Sequence, residues 1–330
     1  MTPAEAEVQA TALRECFEHL RDQIGRVFVG QPQLVEQLLI CFFCQGHGLI
    51  EGPPGLGKTL LVRSLADAVS LRFSRVQCTP DLMPADVTGT NILTDAPGGA
   101  REFVFEPGPI FANVVLADEI NRATPRTQSA FLEAMQEGHV TVFGVTHPIP
   151  APFSVFATEN PIEMEGTYPL PEAQLDRFFF KLIVTPPTLS ELGEIMARTT
   201  GADNPAIVPR FGQQDVRALL PLIRQVKIAD EVMRLVLRIV SATHPDSATP
   251  VPSVKTYVRY GASPRGAQAI VLAAKALGLI AGRYHASSDD VRRVVVPALQ
   301  HRLILNFQGE MEHASREGIL ADVLASVPAR

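Results

Sequence analysis

The stretch Gly52-Pro53-Pro54-Gly55-Leu56-Gly57-Lys58-Thr59 decides the fold. It matches the P-loop pattern G-x-x-x-x-G-K-[ST] at every fixed position, and its flanks are the ones that pattern needs. Leu49, Ile50 and Glu51 read as a short strand running into it, and residues 58–69 read as a helix with Leu61, Leu65 and Val69 on one face. The glycines let the chain turn so that successive N–H groups point inward at phosphate oxygens, and the helix adds the positive end of its dipole. Lys58 is placed to neutralise the β- and γ-phosphates of a nucleotide, and Thr59 to ligate Mg²⁺. The competing reading, a glycine-rich turn with a solvated lysine, is disfavoured by this strand-loop-helix context.

Working outward, the first half of the chain alternates helical periodicity with short apolar strands, which implies an α/β domain with a parallel sheet. Leu34, Leu38, Leu39 and Phe42 recur at helical spacing before the loop. Residues 72–77 alternate as a strand. Residues 90–93 and 102–105 flank Pro97-Gly98-Gly99 as a hairpin, and residues 139–149 around Phe143-Gly144 form a second one. Thr124 and Pro125 open a helix that carries Phe131, Leu132 and Met135 and stops at Gly138. Residues 113–117 and 154–158 are further strands.

The run Val114-Val115-Leu116-Ala117 ends in Asp118-Glu119, delivering carboxylates to the end of a buried strand about 60 residues after the loop. Asp118 is expected to hold the Mg²⁺ hydration shell and Glu119 to polarise the attacking water. Neighbours on a strand point in different directions, which allows the two acids separate roles. From Pro186-Pro187 the texture changes. Thr188 and Glu191 make a capping box, and long amphipathic helices follow, the last opening at Ser287 with Asp290 and running through Leu305. This divides the chain into residues 1–186, an α/β nucleotide-binding domain, and 187–330, an α-helical lid.

Composition bounds the rest. Two domains fit 330 residues, and 46% hydrophobic with 19% charged residues is globular. Twenty-nine Lys and Arg against 35 Asp and Glu leave a net charge of −6, with no global positive field to draw the chain to nucleic acid. The longest apolar run, residues 38–44, is far short of a bilayer span, and the first ten residues lack a basic leader region, so a cytoplasmic protein is expected. Cys41 and Cys44 form a C-x-x-C inside an apolar run. No second pair follows at zinc-ligand spacing, so they read as core.

These residues resemble the AAA+ ATPases, and within them the MoxR family. The likeness runs through Leu116-Ala117-Asp118-Glu119-Ile120-Asn121-Arg122-Ala123, residues 128–137, Ala157-Thr158-Glu159-Asn160-Pro161 and Leu175-Asp176-Arg177-Phe178, and returns at Gly261-Ala262-Ser263-Pro264-Arg265-Gly266. The resemblance implies a P-loop core with a parallel sheet and two inserted β-hairpins, followed by an all-α lid. It also implies that Asn160 is sensor 1, Arg177 the arginine finger and Arg265 sensor 2. Arg259 and Arg283 stand near enough to compete for the sensor-2 role. Val29-Gly30 would line the adenine, with Gly52, Pro53, Pro54, Gly55, Leu56, Gly57, Lys58, Thr59 and Leu60 on the phosphates. Two departures stand out: Glu159 where Gln is common, and Gly266 where Ala is frequent.

What the resemblance implies functionally is Mg²⁺-dependent ATP hydrolysis in a ring, expected to be a hexamer, coupled to chaperone-like remodelling or maturation of a protein client. A von Willebrand factor A domain partner would act in trans. An assembly switch timed by slow hydrolysis and a chelatase-like metal-insertion motor are the alternatives. A DNA-acting motor does not fit the acidic balance. The inserted hairpins would face the ring's pore. Phe143 at a hairpin tip is the nearest candidate to grip polypeptide, and core packing is the preferred reading for it.

Overall fold

The computed structural model describes residues 3–95, 101–161, 166–201, 205–248 and 250–328. Five parallel strands form its central sheet: β1 (Gly48–Glu51), β2 (Phe73–Gln77), β5 (Val114–Asp118), β8 (Ser154–Glu159) and β9 (Phe180–Ile183), in the spatial order β2-β5-β8-β1-β9. The two hairpins are β3 (Gly89–Asp95) with β4 (Arg101–Pro107) and β6 (His139–Val142) with β7 (Val145–Pro148). Pro97, Gly98 and Gly99 lie outside the described residues.

Strand alternation explains why both faces of the sheet are covered. Val114 and Leu116 of β5, Ile50 of β1 and Phe156 of β8 enter one core with helices α1 (Pro3–Val27), α2 (Pro32–Phe43) and α3 (Lys58–Ala68). Val115, Ala117, Leu49, Val155 and Ala157 point the other way, into a second core with α4 (Pro84–Thr88) and α5 (Pro125–Glu137). All five residues of β5 are buried, as a strand covered on both faces requires. Cys41 and Cys44 belong to the first core, and burial pushes both thiols up, which makes them inert packing groups.

The helices after β9 share that first core. Helix Pro264–Ile280 packs on α1 and α2, and helix Ser288–Leu299 packs on β9, so the lid is seated behind the sheet. Two short ladders, Lys227–Ile228 with His285–Ala286 and Val258–Tyr260 with Ile304–Leu305, join its helices. The last long helix ends at Leu299 rather than running to Leu305: Gln300–Arg302 tighten into a 3₁₀ turn. That turn aims three polar side chains back at the core, where Gln300 donates to the Lys181 carbonyl at 2.9 Å and His301 to that of Phe178 at 2.9 Å. Gly266 has its reason here as well, since a Cβ on it would lie 2.7 Å from Leu299 Cδ2.

Candidate functional site

The parallel sheet collects the C-terminal ends of β1, β5 and β8 along one edge, and the P-loop springs from that edge. Gly55 and Gly57 both take φ of 80°, a left-handed conformation that costs glycine little, and α3 begins at Lys58. At Gly52 the constraint is space: a Cβ would stand 2.7 Å from the Val184 carbonyl oxygen at the end of β9. Lys58 donates to the Gly52 carbonyl and, at 3.4 Å, to that of Glu159. Burial pulls its pKa down, while Asp118, Glu119 and Glu51 oppose that shift.

Asp118 is 8% exposed and takes three hydrogen bonds. Thr158 Oγ1 donates to its Oδ1 at 2.6 Å, and Arg75 donates to its Oδ2 from Nε at 3.0 Å and Nη2 at 2.7 Å. Glu119 turns away into a left-handed conformation, φ 56°, that a non-glycine residue adopts only under constraint. Its N–H donates to Thr158 Oγ1 at 2.8 Å, and its carboxylate accepts from Gln77 at 3.0 Å and Arg122 at 3.1 Å. Arg75, Gln77, Arg122 and Thr158 were not singled out from the sequence. Alternation along β2 puts Arg75 and Gln77 on one face, but only the register, Gln77 opposite Asp118, reveals what they meet.

Among the described residues no group of three or more His, Cys, Asp or Glu side chains is placed to hold a metal. Thr59 stands in the first turn of α3 and Asp118 at the end of β5. Asn160, 4% exposed, directly follows β8 on the same edge. The Glu159 side chain lines a cavity of about 340 Å³ shared with Lys181 and Gln300, and burial pushes its carboxyl up. Gly30, at φ 76°, sits where a Cβ would lie 2.1 Å from Glu191 Oε1, so the Val29-Gly30 segment abuts the capping box of helix Leu189–Thr200. Leu60, in the first turn of α3, is exposed.

Arg177 and Arg265 lie elsewhere. Both line a cavity of about 270 Å³ together with His47, which precedes β1, and no P-loop residue lines it. Arg177 comes just before β9, whose Phe180 pairs with Gly48 at the start of β1. The two arginines therefore stand at the N-terminal edge of the sheet, and the phosphate loop stands at the C-terminal edge. Arg177 donates to the Leu132 carbonyl at 3.0 Å, and Arg265 approaches Asp176 at 4.0 Å. Asp176 is the hub of this cluster: Ser263 Oγ donates to both its oxygens, and Arg302 Nε donates at 2.9 Å. The remaining donors of Arg302 go to the carbonyls of Asp176, Phe178, Phe179 and Ala298. Of the competing arginines, Arg283 is held by Asp290 at 2.8 Å and Arg259 lies over the Tyr260 ring.

The hairpins meet through Phe105 and His147, stacked at 3.7 Å. Phe143 is not packed, contrary to the sequence reading: it is 78% exposed at the β6–β7 tip, because its φ of 49° and the following Gly144 close a two-residue turn that leaves the ring outside.

The chain is similar to known proteins over nearly its whole length. The profile of the family described as ATPase family associated with various cellular activities (AAA) matches residues 47–180, and that of an AAA lid domain matches 253–323. Chaperone MoxR1 of Mycobacterium tuberculosis is 43% identical over 92% of this chain and 80% of that one. Protein MoxR of Paracoccus denitrificans is 32% identical over 88% of this chain and 89% of that one. The crystal structure of a Cytophaga hutchinsonii protein superposes with a TM-score of 0.91 at 38% identity, covering 98% of both chains.

Proposed function

Because this chain belongs to the MoxR family of AAA+ ATPases, we propose that it is the ATP-hydrolysing subunit of a closed ring, a hexamer, whose active sites form between neighbours. The observation that carries this reading is the separation of its two clusters along the sheet. Three residue steps of β9 already set them about 10 Å apart, before the span of the loops at either end is added. The guanidinium groups of Arg177 and Arg265 are therefore out of reach of phosphates bound by Lys58 of the same chain, and both residues line a cavity where a neighbour's P-loop can meet them.

In this reading Lys58, the loop amides and the following turn through Leu60 cradle the triphosphate, and Val29-Gly30 borders the adenine. Thr59 and Asp118 hold Mg²⁺. Glu119 polarises the attacking water, Asn160 orients it, and the arginines from the next subunit stabilise charge on the γ-phosphate, a contribution on the order of 10³ to 10⁵ in rate. Residues 1–186 form the nucleotide-binding domain and 187–330 the lid, in a cytoplasmic enzyme. The activity serves chaperone-like remodelling of a protein client, with a von Willebrand factor A domain protein as partner. Exposure of Phe143 on an inserted hairpin supports a polypeptide client over the assembly-switch and chelatase-like alternatives.

The test is mixing of two inactive variants. Lys58→Ala subunits keep good arginines, and Arg177→Ala or Arg265→Ala subunits keep a good cradle. Co-assembly should restore turnover at mixed interfaces for both arginine variants. No recovery in rings shown to contain both subunits would defeat action in trans.

A further inference from the structure

An aspartate carboxylate turns about a broad terminal torsion, so a catalytic or metal-binding Asp keeps one orientation only if neighbours fix it. Asp118 has four lone-pair positions, and three are filled. Both on Oδ2 are taken by the fork of Arg75, at 3.0 and 2.7 Å, and one on Oδ1 is taken by Thr158 at 2.6 Å. The same Arg75 Nη2 reaches Gln77 Oε1 at 2.7 Å, and Gln77 in turn holds Glu119. Arg75 projects from β2, an edge strand, yet its fork lands on a carboxylate that is 11% exposed. An arginine that only solvated the edge strand would have no need of that geometry.

We propose that Arg75 is a positioning residue for Asp118: with Thr158 it locks the carboxylate so that a single direction, on Oδ1, is left for the hydration shell of the nucleotide-bound Mg²⁺. This rests on the assignment of Asp118 to Mg²⁺. A lysine fills the role only in part, because its compact ammonium cannot hold two rigid donors on Oδ2 together with the contact to Gln77 Oε1. Gln77 carries the same constraint across to Glu119, so the metal ligand and the water-polarising acid are set by one guanidinium.

The experiment measures binding rather than turnover. A fluorescent ADP analogue is titrated onto the full chain in Mg²⁺ and in EDTA, for the wild type and for Arg75→Gln and Arg75→Lys. The tightening due to Mg²⁺ should fall by about tenfold in Arg75→Gln, the scale seen when an outer partner of a metal ligand is removed, and Arg75→Lys should recover only part of it. Affinity in EDTA should stay unchanged. Equal losses in both conditions would make Arg75 merely structural, and a stronger Mg²⁺ effect would make it a competitor for Asp118; either overturns the proposal. If the wild type responds to Mg²⁺ and both variants respond equally, this inference alone fails. If the wild type does not respond at all, the assignment of Asp118 fails with it.

Discussion

Asp176 accepts hydrogen bonds from the Ser263 hydroxyl at 2.7 and 2.9 Å, and this contact ties the loop of Arg177 to the helix of Arg265. Asp176 directly precedes Arg177, and Ser263 caps the helix that carries Arg265 in its first turn. The loop of Arg177 and the helix of Arg265 thus touch directly, without the sheet between them.

The buried partner of Asp176 sets the cost of breaking this joint. Arg302 is 3% exposed, and Asp176→Ala would strand its charge. The variant should lose about 3 kcal/mol of stability, as broken buried pairs do, read from denaturant unfolding. Ser263→Ala removes a helix cap and one neutral donor to Asp176 but leaves Arg302 paired, and should cost about 1 kcal/mol. Equal costs for the two would contradict the hub role of Asp176.

If Glu119 polarises the attacking water, as proposed, Glu119→Gln should bind ATP normally and lose turnover. Wild-type hydrolysis in that variant would end the assignment. The stalled form is also the best bait for a client or a von Willebrand factor A domain partner. A pull-down in ATP that recovers neither would weigh against protein remodelling.

Thr158 is fully buried and serves both acids, donating to Asp118 and accepting from the Glu119 N–H. Thr158→Val keeps the shape and strands that N–H, so unfolding should show a loss of about 1–3 kcal/mol. A stability equal to wild type would show that the network contributes nothing to the fold.

Low pH should destabilise the chain through two histidines, His301 buried and His47 half-buried. Burial pulls His47 from its ordinary 6.5 down to about 4, and His301 shifts in the same direction. The Val155 N–H donates to His47 Nδ1, so Nε2 carries the proton and donates to the Met135 carbonyl. Between pH 6.5 and about 4 the unfolded chain takes up a proton that the native state refuses. Stability from this group is thus complete above pH 6.5 and falls as the pH drops through that window. His47→Gln should be less stable at neutral pH and lose less on acidification, measured as urea midpoints at several pH values. An unchanged slope would refute the assignment.

Phe143→Ser should leave stability within about 0.5 kcal/mol of wild type, because the ring is outside. Stimulation of turnover by a captured client should drop. A large loss of stability would return Phe143 to the core.

The sheet, the P-loop and the Asp118-Glu119 strand end were legible because each rests on local spacing: period-two strands, a fixed glycine pattern, a carboxylate after an apolar run. Thr124 and Thr188 likewise announced their helices by capping chemistry, and the structure has Thr124 accepting from the Thr127 N–H and Thr188 from that of Glu191. What escaped depends on register and packing. Arg75 meets Asp118 only because β2 and β5 pair in parallel at a particular offset. Phe143 at the hairpin tip reads as core from its hydrophobicity, and only the backbone of the turn, with φ of 49°, shows the ring set outside. The seat of the lid behind the sheet follows from long-range packing of helix Pro264–Ile280 on α1 and α2, which no local pattern encodes.

Placement of the cradle at one edge of the sheet and the arginines at the other gives the subunit a direction. Contacts that join such edges are heterologous, so every linear string of subunits ends in one unused cradle and one unused arginine pair. Only closure removes both ends. Under the trans reading an incomplete assembly always carries at least one silent site, and the two faces of the finished one differ, so whatever docks above is not met by the surface below.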